Sequence, residues 1–280
     1  ITANDVTGLD DGIYAVNKGT GSTTITSTGT VVGGDGQTDY TANIDGIYAW
    51  NDTTATDLSI TAKDVTGLDD GIYAVNNGTG ITLIGVTGVI FGSVSEGIDT
   101  NGSASTITVS TFASVSGTTE GIETDIKDDI VIVNGSVTGL NGTAILLGGG
   151  NDTVNLGTSA IITGLIDGSI GYDTVKFSVA KSAVDTFTYS DTTNTAMVTI
   201  SGKSIYFKDF EVFTFTDNIS GMTLEEALST FAVYHSPAKP IGSLVDQSVA
   251  VGSSVNLNEI LSSNNLDGSS YSWINVFDAT

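Results

Sequence analysis

The residues of this chain best suited to chemistry are three pairs of adjacent carboxylates, Asp10-Asp11, Asp69-Asp70 and Asp128-Asp129. Two carboxylates flanking a glycosidic bond can hydrolyse it, one as acid and the other as base or nucleophile. Two of the pairs, however, lie in a stretch that occurs twice letter for letter, Asp5 to Asn17 and Asp64 to Asn76. An active site is built once, so a duplicated motif reads as structure. The only histidine, His235, has no Ser, Cys or carboxylate constellation around it in sequence and makes a poor base. No catalytic residue is assigned, and the chain reads as non-enzymatic.

The bulk composition sets the partners. With 32 acidic residues, 8 basic ones and a net charge of -24, nucleic acid and anionic membrane surfaces are repelled. Cations are the natural counter-partners. The absence of Cys excludes a disulfide framework and thiol chemistry. No apolar run is long enough to span a bilayer, so membrane insertion by this segment is not expected. The chain begins immediately before a repeat, as a piece of a longer protein would.

The elements that must position the carboxylates follow from the repeat. Degenerate copies of its Gly-Ile core recur, and the marker glycines Gly12, Gly46, Gly71, Gly97 and Gly121 give steps of 34, 25, 26 and 24 residues. The period is therefore about 25. Each period holds two or three short runs rich in Thr, Val and Ile, bounded by Gly, Asn, Thr or Ser, with few long helix formers. The expected fold is all-β: a right-handed parallel β-helix with a C-terminal β cap, one short helix and a truncated β-sandwich-like tail. Stacked coils then repeat side chains in register at about 4.8 Å.

Register is testable within the repeats. The residue after Gly-Ile is Tyr14, Tyr48 and Tyr73 in three coils but Asp99 and Glu123 in two more. Acids there would be costly against an apolar core, so this position points outward. Alternation sends Ile13, Ile47, Ile72, Ile98 and Ile122 inward as an aliphatic ladder. Asn17, Asn51, Asn76 and Asn101 close the strands and are expected to form an amide ladder at a turn. Tyr14, Tyr48, Trp50 and Tyr73 form an outward aromatic stripe that could stack on sugar rings, or merely on itself. The long step of 34 implies an insertion, for which Gly33 to Asp39 is the candidate loop.

Further on, Gly148-Gly149-Gly150-Asn151-Asp152-Thr153-Val154 and Gly168-Ser169-Ile170-Gly171-Tyr172-Asp173-Thr174-Val175 resemble the glycine and aspartate unit of calcium-binding RTX repeats. The resemblance implies calcium held by Asp152 and Asp173. Their separation of 21 residues departs from tandem nine-residue units and reads as two consecutive coils. The Gly-Ile-Tyr-Ala-Val-Asn coils, Gly-Gly-Gly-Asn-Asp-Thr-Val-Asn-Leu-Gly and Gly-Tyr-Asp-Thr-Val-Lys-Phe together resemble passenger coils of secreted bacterial adhesins and autotransporters. That resemblance, over residues 1–177, implies a β-helical stalk exported to the cell surface.

From residue 178 to 234 the coil signature fades into alternating strands rich in Phe and Tyr, expected to cap the open end of the helix. Thr223-Leu224-Glu225-Glu226 is a capping box that starts a helix over 224–234. Residues 235–242 carry both prolines and read as a stiff linker. Residues 243–280 resemble the first strands of a cadherin-like or immunoglobulin-like module, too short to close a sandwich of about 100 residues.

These readings converge on a structural or adhesive, extracellular or cell-surface segment of a large bacterial protein, meeting a host or environmental surface, with glycan and calcium as candidate ligands and no cofactor assigned. The alternative is a polysaccharide-binding or polysaccharide-degrading β-helix. Lyases of that kind typically use an Arg or Lys base beside calcium, and this chain has no Arg.

Overall fold

The computed structural model describes residues 1–36 and 43–231. The linker expected over 235–242, the module over 243–280, and Gln37 to Asp39 of the expected insertion lie outside the described residues. Within them the chain is an all-β parallel solenoid of about seven turns with one short helix.

Each turn contributes strands to two large sheets, one of ten strands and one of fifteen. The ten-stranded sheet stacks Thr23–Ser27, Leu58–Ala62, Thr82–Val86, Ser105–Val109, Ile130–Val133, Thr153–Leu156 and Thr174–Phe177 in parallel. The fifteen-stranded sheet carries two runs. One contains Thr30–Val32, Asp64–Gly67, Val89–Gly92 and Ser114–Gly117. The other contains Ile13–Asn17, Ile47–Asn51, Ile72–Asn76, Ile98–Asn101 and Glu120–Glu123. The eleven-residue strand Ser136–Leu146 joins them, pairing with one run through Ser136 and with the other through Leu146.

Alternation along these strands sorts the side chains as their sequence requires. Ile13, Ile47, Ile72, Ile98, Ile122, Ile145 and Ile166 stand opposite one another from turn to turn, and all are buried. A second buried column runs Ile25, Ile60, Ile84, Ile107, Val131, Val154 and Val175. Each aliphatic side chain so buried stabilises the fold by roughly 1.5–3 kcal/mol relative to exposure. At the marker glycines the backbones approach too closely for a side chain. A Cβ at Gly71 would lie 2.5 Å from the Gly97 carbonyl oxygen and 2.6 Å from Ile90 Cγ2.

The asparagine ladder is only partly as expected. Asn51 Nδ2 donates to Asn76 Oδ1 at 3.2 Å. Asn101 pairs with Val75 rather than with Asn76, because its strand is one residue shorter than Ile72–Asn76. Its side chain instead donates to the Asp99 carboxylate, and Asn76 Nδ2 is left buried without a partner.

The end of the solenoid is closed by antiparallel strands Val184–Ser190, Thr195–Ile200 and Lys203–Lys208, the last of which rejoins the fifteen-stranded sheet through Leu165 and Tyr206. Val212–Phe215 returns to the ten-stranded sheet, and Asn218–Thr223 folds back along it. Both aliphatic columns end on phenylalanine, Ile166 against Phe207 and Val175 against Phe213. The capping box forms: Glu226 N donates to Thr223 Oγ1 at 3.2 Å and Thr223 N to Glu226 Oε2 at 2.8 Å. The helix it starts spans Leu224–Thr230.

Candidate functional site

Tyr14, Tyr48 and Tyr73 occupy one column, one turn apart. The first two rings stack at 5.0 Å with 12° between their planes, and the next pair tilts at 5.7 Å and 48°. Tyr14 is 66% exposed, while Tyr48, Tyr73 and Trp50 are half-buried. Trp50 points the same way from the neighbouring column, between Val16 and Val75. The four aromatic residues singled out from sequence thus share one face, as strand alternation dictates.

The same column continues from Tyr73 to Asp99 and then Glu123. Beside it runs a second column made by the residue before each marker glycine: Asp11, Asp45, Asp70, Glu96 and Glu120. Strand pairing gives these carboxylates a backbone task. Asp11 Oδ1 accepts Asp45 N at 2.8 Å, Asp45 Oδ1 accepts Asp70 N at 3.2 Å, and Asp70 Oδ1 accepts Glu96 N at 2.9 Å. Three overlapping triads result, Asp45-Asp69-Asp70, Asp70-Glu96-Asp99 and Glu96-Glu120-Glu123, each with ligand oxygens within 4.8 Å of one another. Such oxygen-only sets suit a hard cation such as calcium.

Burial and mutual repulsion raise these groups. Asp45 is pushed up to about 7, first by burial and then by Asp11 and Asp69. Asp99 is pushed up to about 7 by burial and by Glu123, and Glu123 to about 6 by burial and by Glu96. Asp70 and Glu96 share a hydrogen bond and split: burial and the Glu96 contact raise Asp70 far above the usual range. Burial also opposes charge on Glu96, yet the hydroxyls of Thr119 at 2.6 Å and Ser95 at 2.7 Å hold it below the ordinary glutamate range.

Asp152 and Asp173 belong to a different corner. They continue a column from Ser105, the first residue of its strand, through Asp129 to Glu211, and each of the four acids stands one residue before a strand of the ten-stranded sheet. Here the carboxylate of the later turn accepts the N–H of the earlier one. Asp129 Oδ1 takes Ser105 N at 2.5 Å, Asp152 Oδ1 takes Asp129 N at 2.7 Å, Asp173 Oδ1 takes Asp152 N at 2.8 Å, and Glu211 Oε2 takes Asp173 N at 2.7 Å. Asp129, Asp152 and Asp173 are at most 2% exposed, and the Oδ2 of each has no hydrogen-bond partner. Sequence reasoning singled out Asp152 and Asp173 for a cation and Asp129 only as half of a carboxylate pair, and it passed over Glu211. The signal was present: Asp-Ile-Val-Ile-Val, Asp-Thr-Val-Asn-Leu, Asp-Thr-Val-Lys-Phe and Glu-Val-Phe-Thr-Phe place an acid before an alternating strand once per turn.

The adjacent carboxylate pairs are resolved by the same alternation. Asp70 and Asp129 are buried ladder members, while Asp128 is exposed and Asp69 is half-buried, its carboxylate grouped with those of Asp45 and Asp70. Asp128 Oδ1 accepts Asn151 N at 2.7 Å, and Asn151 Oδ1 accepts Tyr172 N at 3.1 Å. Comparison of the chain with protein-family models, curated proteins and solved structures finds no match.

Proposed function

We propose that this chain is a structural and adhesive segment of a large bacterial surface or secreted protein, a stiff rod that works outside the cell by presenting its aromatic and acidic face. The observation that carries this reading is the unbroken outward column Tyr14, Tyr48, Tyr73, Asp99 and Glu123, displayed on a continuous parallel ladder. A repeated surface of this kind suits multivalent contact with an extended partner. Calcium is the proposed ion for the overlapping carboxylate triads, where it would relieve the repulsion that raises Asp99 and Glu123. The role is non-catalytic, because the carboxylate pairs recur as ladder members rather than as a single constellation.

A second reading, polysaccharide binding, is favoured by one feature: the stacked tyrosines beside Trp50 offer flat faces at a regular spacing. Glycan-array retention of the wild-type chain and of a Tyr48→Ser/Tyr73→Ser variant separates the two. Loss of retention in the variant supports sugar stacking, and equal retention removes it. Thermal unfolding with millimolar calcium and with chelator tests the cation, for which an unchanged midpoint is the opposing result.

A further inference from the structure

Where the hairpins fold over the last turns of the solenoid they leave a cavity of about 330 Å³, on the scale of small-molecule pockets. Its floor is aromatic. Phe207, Phe210 and Phe213 line it, are at most 5% exposed, and pack edge to face at 5.6 and 6.0 Å. Tyr172 and Tyr189 add two more rings to the lining.

The polar lining is acidic, with Asp209, Glu211 and Glu225 around the cavity and no lysine among its residues. Lys208 lies beside it, its Nζ 2.8 Å from Asp167 Oδ2 and 3.2 Å from Asp209 Oδ2. Glu211 gives one oxygen to Asp173 N, and Glu225 sits in the first turn of the helix. The lining therefore keeps a net negative charge after Lys208 is counted.

Its shape is held by strained backbone. Asn194 and Asp209 both line the cavity in the left-handed region, with φ of 51° and 54°. They are tied together, since Asn194 Nδ2 donates to Asp209 Oδ1 and the Tyr189 hydroxyl donates to Asn194 Oδ1. Backbone strain of this kind persists where the surroundings over-determine it, and it collects at ligand sites.

Five aromatic rings and three carboxylates select the ligand. An anion is repelled, an inorganic cation would face carbon where it wants oxygen, and a neutral ligand gains nothing from the net negative lining. A cation with an alkyl periphery satisfies both surfaces, its charge attracted by the acids and its alkyl groups packed against the aromatic rings. We propose that this cavity binds a small organic cation, an alkylammonium or quaternary ammonium compound.

The test is calorimetric titration and saturation-transfer NMR of the full chain with choline, tetramethylammonium and n-butylammonium, set against 3,3-dimethylbutan-1-ol, the uncharged carbon isostere of choline. Saturable binding of a cation about tenfold tighter than of the isostere is expected. Tyr172→Leu and Glu225→Gln, both away from the packed core, should each weaken it severalfold with the melting temperature unchanged, while Tyr48→Ser leaves it intact. No cation binding, equal binding of the isostere, or binding untouched by both cavity variants overturns the proposal.

Discussion

The Asp173 carboxylate accepts the backbone N–H of Asp152 at 2.8 Å, one turn of the solenoid away, and Asp152 does the same for Asp129 at 2.7 Å. The corner thereby satisfies main-chain donors that no strand pairs, but it stacks like charges in a buried column. Protons or cations must offset that repulsion.

Stability should fall as pH rises. Burial, with neighbouring acids, pushes Asp45, Asp99 and Asp152 up to about 7 and Asp173 and Glu123 to about 6. The folded state then holds more protons than the unfolded one. Its contribution is complete below the unfolded carboxylate values near 4 and is lost as pH rises through about 6 to 7. Melting temperature followed from about pH 4 to about pH 8 should decline, and a flat or rising profile contradicts the ladder's electrostatics. Asp152→Asn keeps an acceptor for Asp129 N without the charge, so it should flatten the decline. Asp152→Ala leaves that N–H unpaired and should cost about 1–3 kcal/mol in chemical denaturation at any pH.

Calcium should reverse the trend on the outward face. At pH 8 a free concentration about a hundred times the dissociation constant stabilises by about 2.7 kcal/mol. Asp99→Asn/Glu123→Gln should reduce the gain seen in a melting curve, because together they break two of the three carboxylate triads. An equal gain in that double variant would place the ion elsewhere.

Neighbouring residues of one strand should differ sharply. Ile72 is fully buried in the aliphatic column and Tyr73 lies on the outer face. Ile72→Ala should cost about 2–5 kcal/mol by urea denaturation, and Tyr73→Ser about 1 kcal/mol or less.

The two asparagines Asn51 and Asn101 should not behave alike. Asn51 accepts Thr23 Oγ1 at 2.6 Å and donates to Asn76 Oδ1, all within the solenoid. Replacing it with Ala removes both bonds, leaving Asn76 Oδ1 only the Gly78 N–H, and should cost about 1–3 kcal/mol. Asn101→Ala loses only a contact to Asp99 on the outer face and should change stability by less than about 0.5 kcal/mol. Equal losses in equilibrium unfolding would contradict the register shift.

The solenoid and its inward and outward faces were legible because one position recurs once per turn. A site that carries Tyr14, Tyr48 and Tyr73 but also Asp99 and Glu123 can only face water, and Ile72 beside it can only face the core. Asn101 misled for the opposite reason. It follows Gly97 by four residues where Asn17, Asn51 and Asn76 follow their glycines by five, and that one-residue difference moved it to the other face.

What the sequence by itself determined is the coil, its period, the aliphatic interior and the aromatic stripe, since all follow from alternation and repetition along the chain. Only the tertiary structure decided how closely the acids of successive turns meet. Asp70 touches Glu96, and Asp152 reaches Asp173, because turns of unequal length stack in one particular register. The cap cavity is the clearest case. Tyr172, Tyr189, Asp209 and Glu225 share no period, and antiparallel hairpins bring them together by long-range pairing that no local pattern encodes.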